Sequence, residues 1–144
     1  MALRWADFIT PSTLHLAPLL EVLLEPIQCA QQLASLQLGL QEVLVNAVRH
    51  GNSSDPGKCL RVRRIVTPRW LVFQVQDEGC GLPPHARVAA LPEQWDAASG
   101  RGLFLIHQCF DDVRWSSRGN RVQVAVRRVG GGVPLVARLA VATA

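Results

Sequence analysis

Glu42 and Asn46 stand four residues apart in the run Leu40-Gln41-Glu42-Val43-Leu44-Val45-Asn46-Ala47-Val48-Arg49-His50-Gly51. On a helix that spacing stacks a carboxylate above a neutral amide on one side. A carboxylate can take a proton from a reacting hydroxyl. An amide oxygen can ligate a hard cation without adding charge. Two further stretches carry chemistry. Asp77 ends an apolar segment and runs into Glu78-Gly79-Cys80-Gly81, and Ser99-Gly100-Arg101-Gly102-Leu103 opens another. Glycines let a backbone approach a ligand closely. A helix that follows them offers unpaired N–H groups and a positive dipole end to an anion.

The elements that must position these groups are legible. Leu33, Leu36, Leu40, Val43, Leu44 and Ala47 recur at helical spacing, which predicts a helix from about Gln31 to His50 with one apolar face. Gly51 and Asn52 read as its stop, in a left-handed cap. A helix apolar on most sides, and so well buried, is predicted from Pro18 to about Pro26. Leu3 to Ile9 reads as a short edge strand ended by Pro11. Cys59 to Val66 and Trp70 to Gln76 read as strands joined by Thr67-Pro68-Arg69. Leu71, Phe73 and Val75 share a face by period two, and Asp77 falls on that same inward face. An inward carboxylate needs a hydrogen-bond partner. Backbone N–H groups of the glycine turn can serve, and so can a ligand amine.

Residues 83 to 99, with Pro83, Pro84 and Pro92, read as a long connection. A short apolar helix is expected from Gly102 to Phe110. Val113 and Trp115 begin a strand, Arg118-Gly119-Asn120 turns the chain, and Val122, Val124 and Val126 alternate through a last strand. Gly130-Gly131-Gly132 closes a domain over 1–129, leaving 130–144 as a Gly-rich link and apolar tail.

Composition narrows the classes. The chain has 144 residues and is 49% hydrophobic, enough for one packed domain. Glu21, Glu25 and Pro26 interrupt the longest apolar run, so no membrane span is expected. No signal-peptide layout is present, which predicts a cytosolic protein. Cys29, Cys59, Cys80 and Cys109 are scattered, without zinc-ligand spacing, and read as reduced thiols. The net charge of +4 comes from dispersed arginines. It suits a solvated sheet face or an acidic protein partner better than nucleic acid.

Taken together, the acidic-amide helix, Asp-x-Gly-x-Gly, and Gly-x-Gly before a helix resemble the nucleotide-binding domain shared by gyrase, heat-shock chaperones, histidine kinases and MutL, the GHKL or Bergerat fold. The form Glu-x-x-x-Asn-Ala-x-x-His-Gly, over residues 3 to 128, resembles the anti-sigma factor serine kinases within it. The resemblance implies an α/β two-layer sandwich, with a mixed, mostly antiparallel sheet packed on one side by helices. It implies ATP and Mg2+ as cofactors. Asp77 would accept a hydrogen bond from the adenine amino group, Gly79 and Gly81 would pass beside base and ribose, and Gly100, Arg101, Gly102 and Leu103 would flank the phosphates. Asn46 would hold the metal and Glu42 would be the general base. Arg49 reads equally as a phosphate contact or a surface arginine, and His50 as a helix-end residue.

The implied function is an anti-sigma factor that sequesters a sigma factor and phosphorylates a STAS-type antagonist on serine, often as a homodimer. Two alternatives stand beside it. One is an ATP-dependent binding switch with weak transfer, because the lid is short and Asn120 replaces the usual threonine. The other is a stand-alone histidine-kinase-type catalytic domain, which Glu42 and the lack of an upstream acceptor helix disfavour.

Overall fold

In the computed structural model, residues 3–87 and 98–129 are described. Five strands form one sheet: β1 (Arg4–Pro11), β2 (Cys59–Val66), β3 (Trp70–Gln76), β4 (Asp112–Trp115) and β5 (Arg121–Arg127). Their spatial order is β1-β2-β3-β5-β4. Each described pairing is antiparallel, so the sheet expected to be mixed and mostly antiparallel shows no parallel pair among its described strands. Helices α1 (Ala17–Leu24), α2 (Ala30–Asn46) and α3 (Ala98–Cys109) complete the described two-layer sandwich. The expected fold class is therefore the observed one.

Period two sorts the strands cleanly. Leu60, Val62 and Val66 of β2, Leu71, Phe73 and Val75 of β3, and Val122, Val124 and Val126 of β5 are buried. They join Leu36, Leu40, Val43 and Leu44 of α2 in one core. Burial of each such side chain contributes about 1.5–3 kcal/mol. Leu33, expected on that apolar face, is instead 36% exposed at its margin. Helix α1 is less enclosed than its composition suggests. Leu20, Leu23 and Leu24 are buried, whereas Val22 is 42% exposed. Arg64 braces the end of this helix: its Nη1 donates to Val22 O at 2.6 Å, a carbonyl that the Glu25 N–H reaches only at 3.4 Å.

The end of α2 departs from the expected left-handed cap. The helix widens into a π-helical turn over Ala47–Gly51, closed by the Asn52 N–H donating to Ala47 O at 2.8 Å. Asn52 has φ −91°, and the left-handed residues are Ser53 (φ 54°) and Ser54 (φ 57°). The reason lies in tertiary bonding. Asn52 is fully buried; its Nδ2 donates to Cys59 O at 3.1 Å, and its Oδ1 accepts from Glu78 N–H at 2.8 Å. One side chain thus ties the helix end to β2 and to the turn after β3. Helix α3 also differs, starting at Ala98 rather than Gly102. Of the 83–99 connection, Pro84–Arg87 forms a single 3₁₀ turn and 88–97 lie outside the described residues. The proposed tail, 130–144, does too.

Candidate functional site

A cavity of about 420 Å³ opens between α2, α3 and the sheet. That volume falls in the range of small-molecule sites. Its floor is apolar, from Val43, Val75, Ile106 and Val122. Asn46 and Asp77 reach it from different elements, joined by Gly81, Leu103 and Asn120.

Asp77 arrives there because β3 continues one residue past Gln76 on the inward phase. Its own N–H donates to Asn120 O at 2.9 Å, and Asn120 Nδ2 donates back to Asp77 O at 3.4 Å. The carboxylate Oδ1 accepts from Gly79 N–H at 2.8 Å. So the glycine turn does supply the structural partner, yet the carboxyl group still lines the cavity. Burial pushes its pKa above the ordinary carboxylate value; the Gly79 bond and the charges of Lys58 and Arg118 oppose that rise. A half-buried carboxylate with one oxygen engaged is suited to accept a hydrogen bond from a ligand amine.

The glycines around it are needed for space. A Cβ on Gly51 would strike the Asp77 carboxylate, and one on Gly79 would strike the Gly51 carbonyl. Gly51 therefore serves the site through its missing side chain, not through an unusual φ. Gly81 does need its freedom, with φ +95° and a position where a Cβ would strike Arg118 O.

Asn46 is in the cavity wall, and Glu42, one turn before it on α2, is not among the lining residues. A Cβ on Gly102 would lie 3.0 Å from Glu42 Oε2 and 3.4 Å from Asn46 Oδ1. The carboxylate and the amide thus flank one bare point on α3. The expected Gly-x-Gly loop before the helix is not observed, since both Gly100 and Gly102 lie inside α3. Glycine in a helix costs about 1 kcal/mol relative to alanine, and at Gly102 the close approach to Glu42 accounts for it. The Arg101 side chain lies outside what is described. Arg49 is exposed and is not part of the cavity wall.

The wall also holds residues that the sequence pattern does not mark as ligand contacts. His50 turns toward the cavity from the π-helical turn, and Leu82, His85 and Trp115 line it as well. Trp115 was findable, because period two in β4 puts Val113 and Trp115 on the inward phase. Its buried Nε1 has no hydrogen-bond partner among the described residues. Asn120, doubtful as a nucleotide contact, is a wall residue that also brackets the Asp77 backbone.

A helix-backed antiparallel sheet whose cleft joins an inward aspartate, a glycine turn and a Glu-x-x-x-Asn helix defines a nucleotide-binding class. The family model for the histidine kinase-like ATPase domain matches residues 15–126, and this chain belongs to that family. Its family points to ATP as what the cleft binds. No curated protein matches the chain. No helix among the described residues is long and apolar enough to cross a membrane.

Proposed function

We propose that this chain is a cytoplasmic, ATP-binding anti-sigma factor with serine kinase activity. It sequesters a sigma factor and phosphorylates a STAS-type antagonist on serine, working as a homodimer. The observation that supports the reading is the joint approach of Glu42 and Asn46 to Gly102, at the edge of a cleft that also holds Asp77.

The residues fit their parts. Asp77 accepts from the adenine amino group, where guanine would present another acceptor. The apolar floor takes the base. The Asn46 side-chain oxygen would hold Mg2+, an oxygen-seeking cation. Glu42 accepts the proton of the partner's serine hydroxyl as that oxygen bonds to the γ-phosphorus and the bridging oxygen departs with ADP. Leu103, which lines the cavity from α3, would face the phosphate end. A second reading, an ATP-dependent switch with weak transfer, rests on the short lid and on Asn120 in place of the usual threonine.

Labelled ATP, the protein and a STAS partner from the same genome test the proposal. Serine-bound phosphate is expected, falling by roughly 10²–10⁴-fold in Glu42→Gln. ATP binding without transfer establishes the switch instead. Phosphohistidine on a partner would point to a histidine-kinase-type domain.

A further inference from the structure

The helices cover one face of the sheet, and the ladder register fixes what the other face presents. Trp5, Ile65, Val72, Ala125 and Asp112 lie abreast in one row. Asp7, Arg63, Gln74, Gln123 and Arg114 form the next, and Ile9, Arg61, Gln76 and Arg121 the third. Trp5 is 62% exposed and Ile9 65% exposed. Arg127 adds a further charge beside Trp70. Five arginines thus share this face with two strand aspartates, Asp7 and Asp112. Those aspartates are already engaged, by Arg63 at 2.6 and 2.9 Å and by Arg114 at 2.8 Å. The row with Arg61 and Arg121 contains no carboxylate, and the Glu78 carboxylate beyond Gln76 already accepts from the Cys59 N–H at 2.6 Å. Those two residues flank Gln76 across two strand spacings, about 10 Å apart, which matches acidic residues about two turns apart on a helix.

We propose that this face docks an acidic, amphipathic polypeptide segment of a protein partner. Its carboxylates would meet Arg61 and Arg121, and its apolar side chains would cover Trp5, Ile9 and Ile65. The charge pattern selects this occupant. A second copy presenting the same face would set like charges against each other. Single-stranded nucleic acid gains affinity by stacking bases on free aromatic faces. Here the Arg63 guanidinium already lies 5.0 Å from the Trp5 ring centroid, and that of Arg127 lies 5.2 Å from Trp70. The carboxylates of Asp7 and Asp112 would also repel phosphates. The face lies on the opposite side of the sheet from the cleft, so docking there is separable from nucleotide binding.

A fluorescein-labelled amphipathic peptide of glutamate, leucine and alanine serves as the probe, read by anisotropy with the full chain. The expected result is saturable binding that weakens by at least about tenfold in Arg61→Glu/Arg121→Glu and falls again with Trp5→Ala. The ATP-induced melting shift should stay unchanged in both variants, showing that fold and cleft are intact. Three results would each overturn the proposal. One is peptide affinity indifferent to these substitutions. Another is oligothymidylate binding the same face more tightly than the peptide. The third is a wild-type dimer that the Arg61→Glu/Arg121→Glu change dissociates.

Discussion

At the scale of single residues, Asp77 faces two opposed demands. Its carboxyl must lie in a partly dry cleft to be useful, and that burial disfavours its charged form. The sign of the consequence follows from proton linkage. With its folded pKa raised, the native state holds the proton more tightly than the unfolded chain, whose value is near 3.8. Stability is therefore highest below that value. It falls as pH rises through the interval up to the folded pKa, and the loss is complete above it. Asp77→Asn keeps an oxygen for the Gly79 N–H and removes the charge. In urea unfolding across that interval, the variant should lose less stability with rising pH than wild type. At neutral pH it should unfold at no lower urea, and ATP should no longer protect it. A variant that tracks the wild-type pH profile would exclude this account. Cys80 offers a second residue-level measurement. It is exposed on the cavity wall, whereas burial raises the pKa of Cys109 and keeps that thiol unreactive. Alkylation at neutral pH followed by peptide mapping should label Cys80 well before Cys109. ATP should slow the Cys80 reaction alone; equal rates with and without nucleotide would place the ligand elsewhere.

At the scale of elements, the site depends on how the end of α2 is held against the sheet. The π-helical turn carries His50 and Gly51 to the cavity, and Asn52 anchors it by two hydrogen bonds to separate strands' ends. Asn52→Ala leaves the Glu78 N–H and the Cys59 carbonyl without that partner. Unsatisfied buried groups cost about 1–3 kcal/mol each. Urea denaturation should show a loss of about 2–4 kcal/mol with little change in slope, and weaker ATP binding because Gly51 no longer seats against Asp77. The sequence pattern exposed much of this architecture. Strong alternation located β2 and β3 to the residue, and helical spacing located α2 within one residue of its start. Asp77's inward phase followed from counting by twos along β3. The cap did not, because Gly-Asn after a helix has a local reading that competes with tertiary bonding, and here Asn52's distant partners decide. Helix α3 begins earlier than its residues predict for a related reason. Gly100 and Gly102 argue against helix by propensity, and only contact with Glu42 and Asn46, some sixty residues earlier in the chain, explains a glycine there.

For the whole molecule, ligand occupancy should appear as stability, since three segments far apart in the chain converge on the cleft. A ligand that binds only the folded state stabilises it by about 2.7 kcal/mol at a hundredfold excess over Kd. For a domain of 144 residues that corresponds to a rise of roughly 6–10 °C in melting temperature. The metal contribution is separable. If Asn46 ligates Mg2+, ATP with Mg2+ should raise the melting temperature of wild type above ATP with EDTA. Asn46→Ala should abolish that difference while retaining the metal-free shift, because Asp77 and the apolar floor still bind the base. Glu42→Gln should keep both shifts, since its carboxylate acts on the incoming hydroxyl. Loss of the metal-free shift in Asn46→Ala would mean that the amide holds the cleft open, not the cation. A Mg2+ response that survives the substitution would move the metal to other ligands.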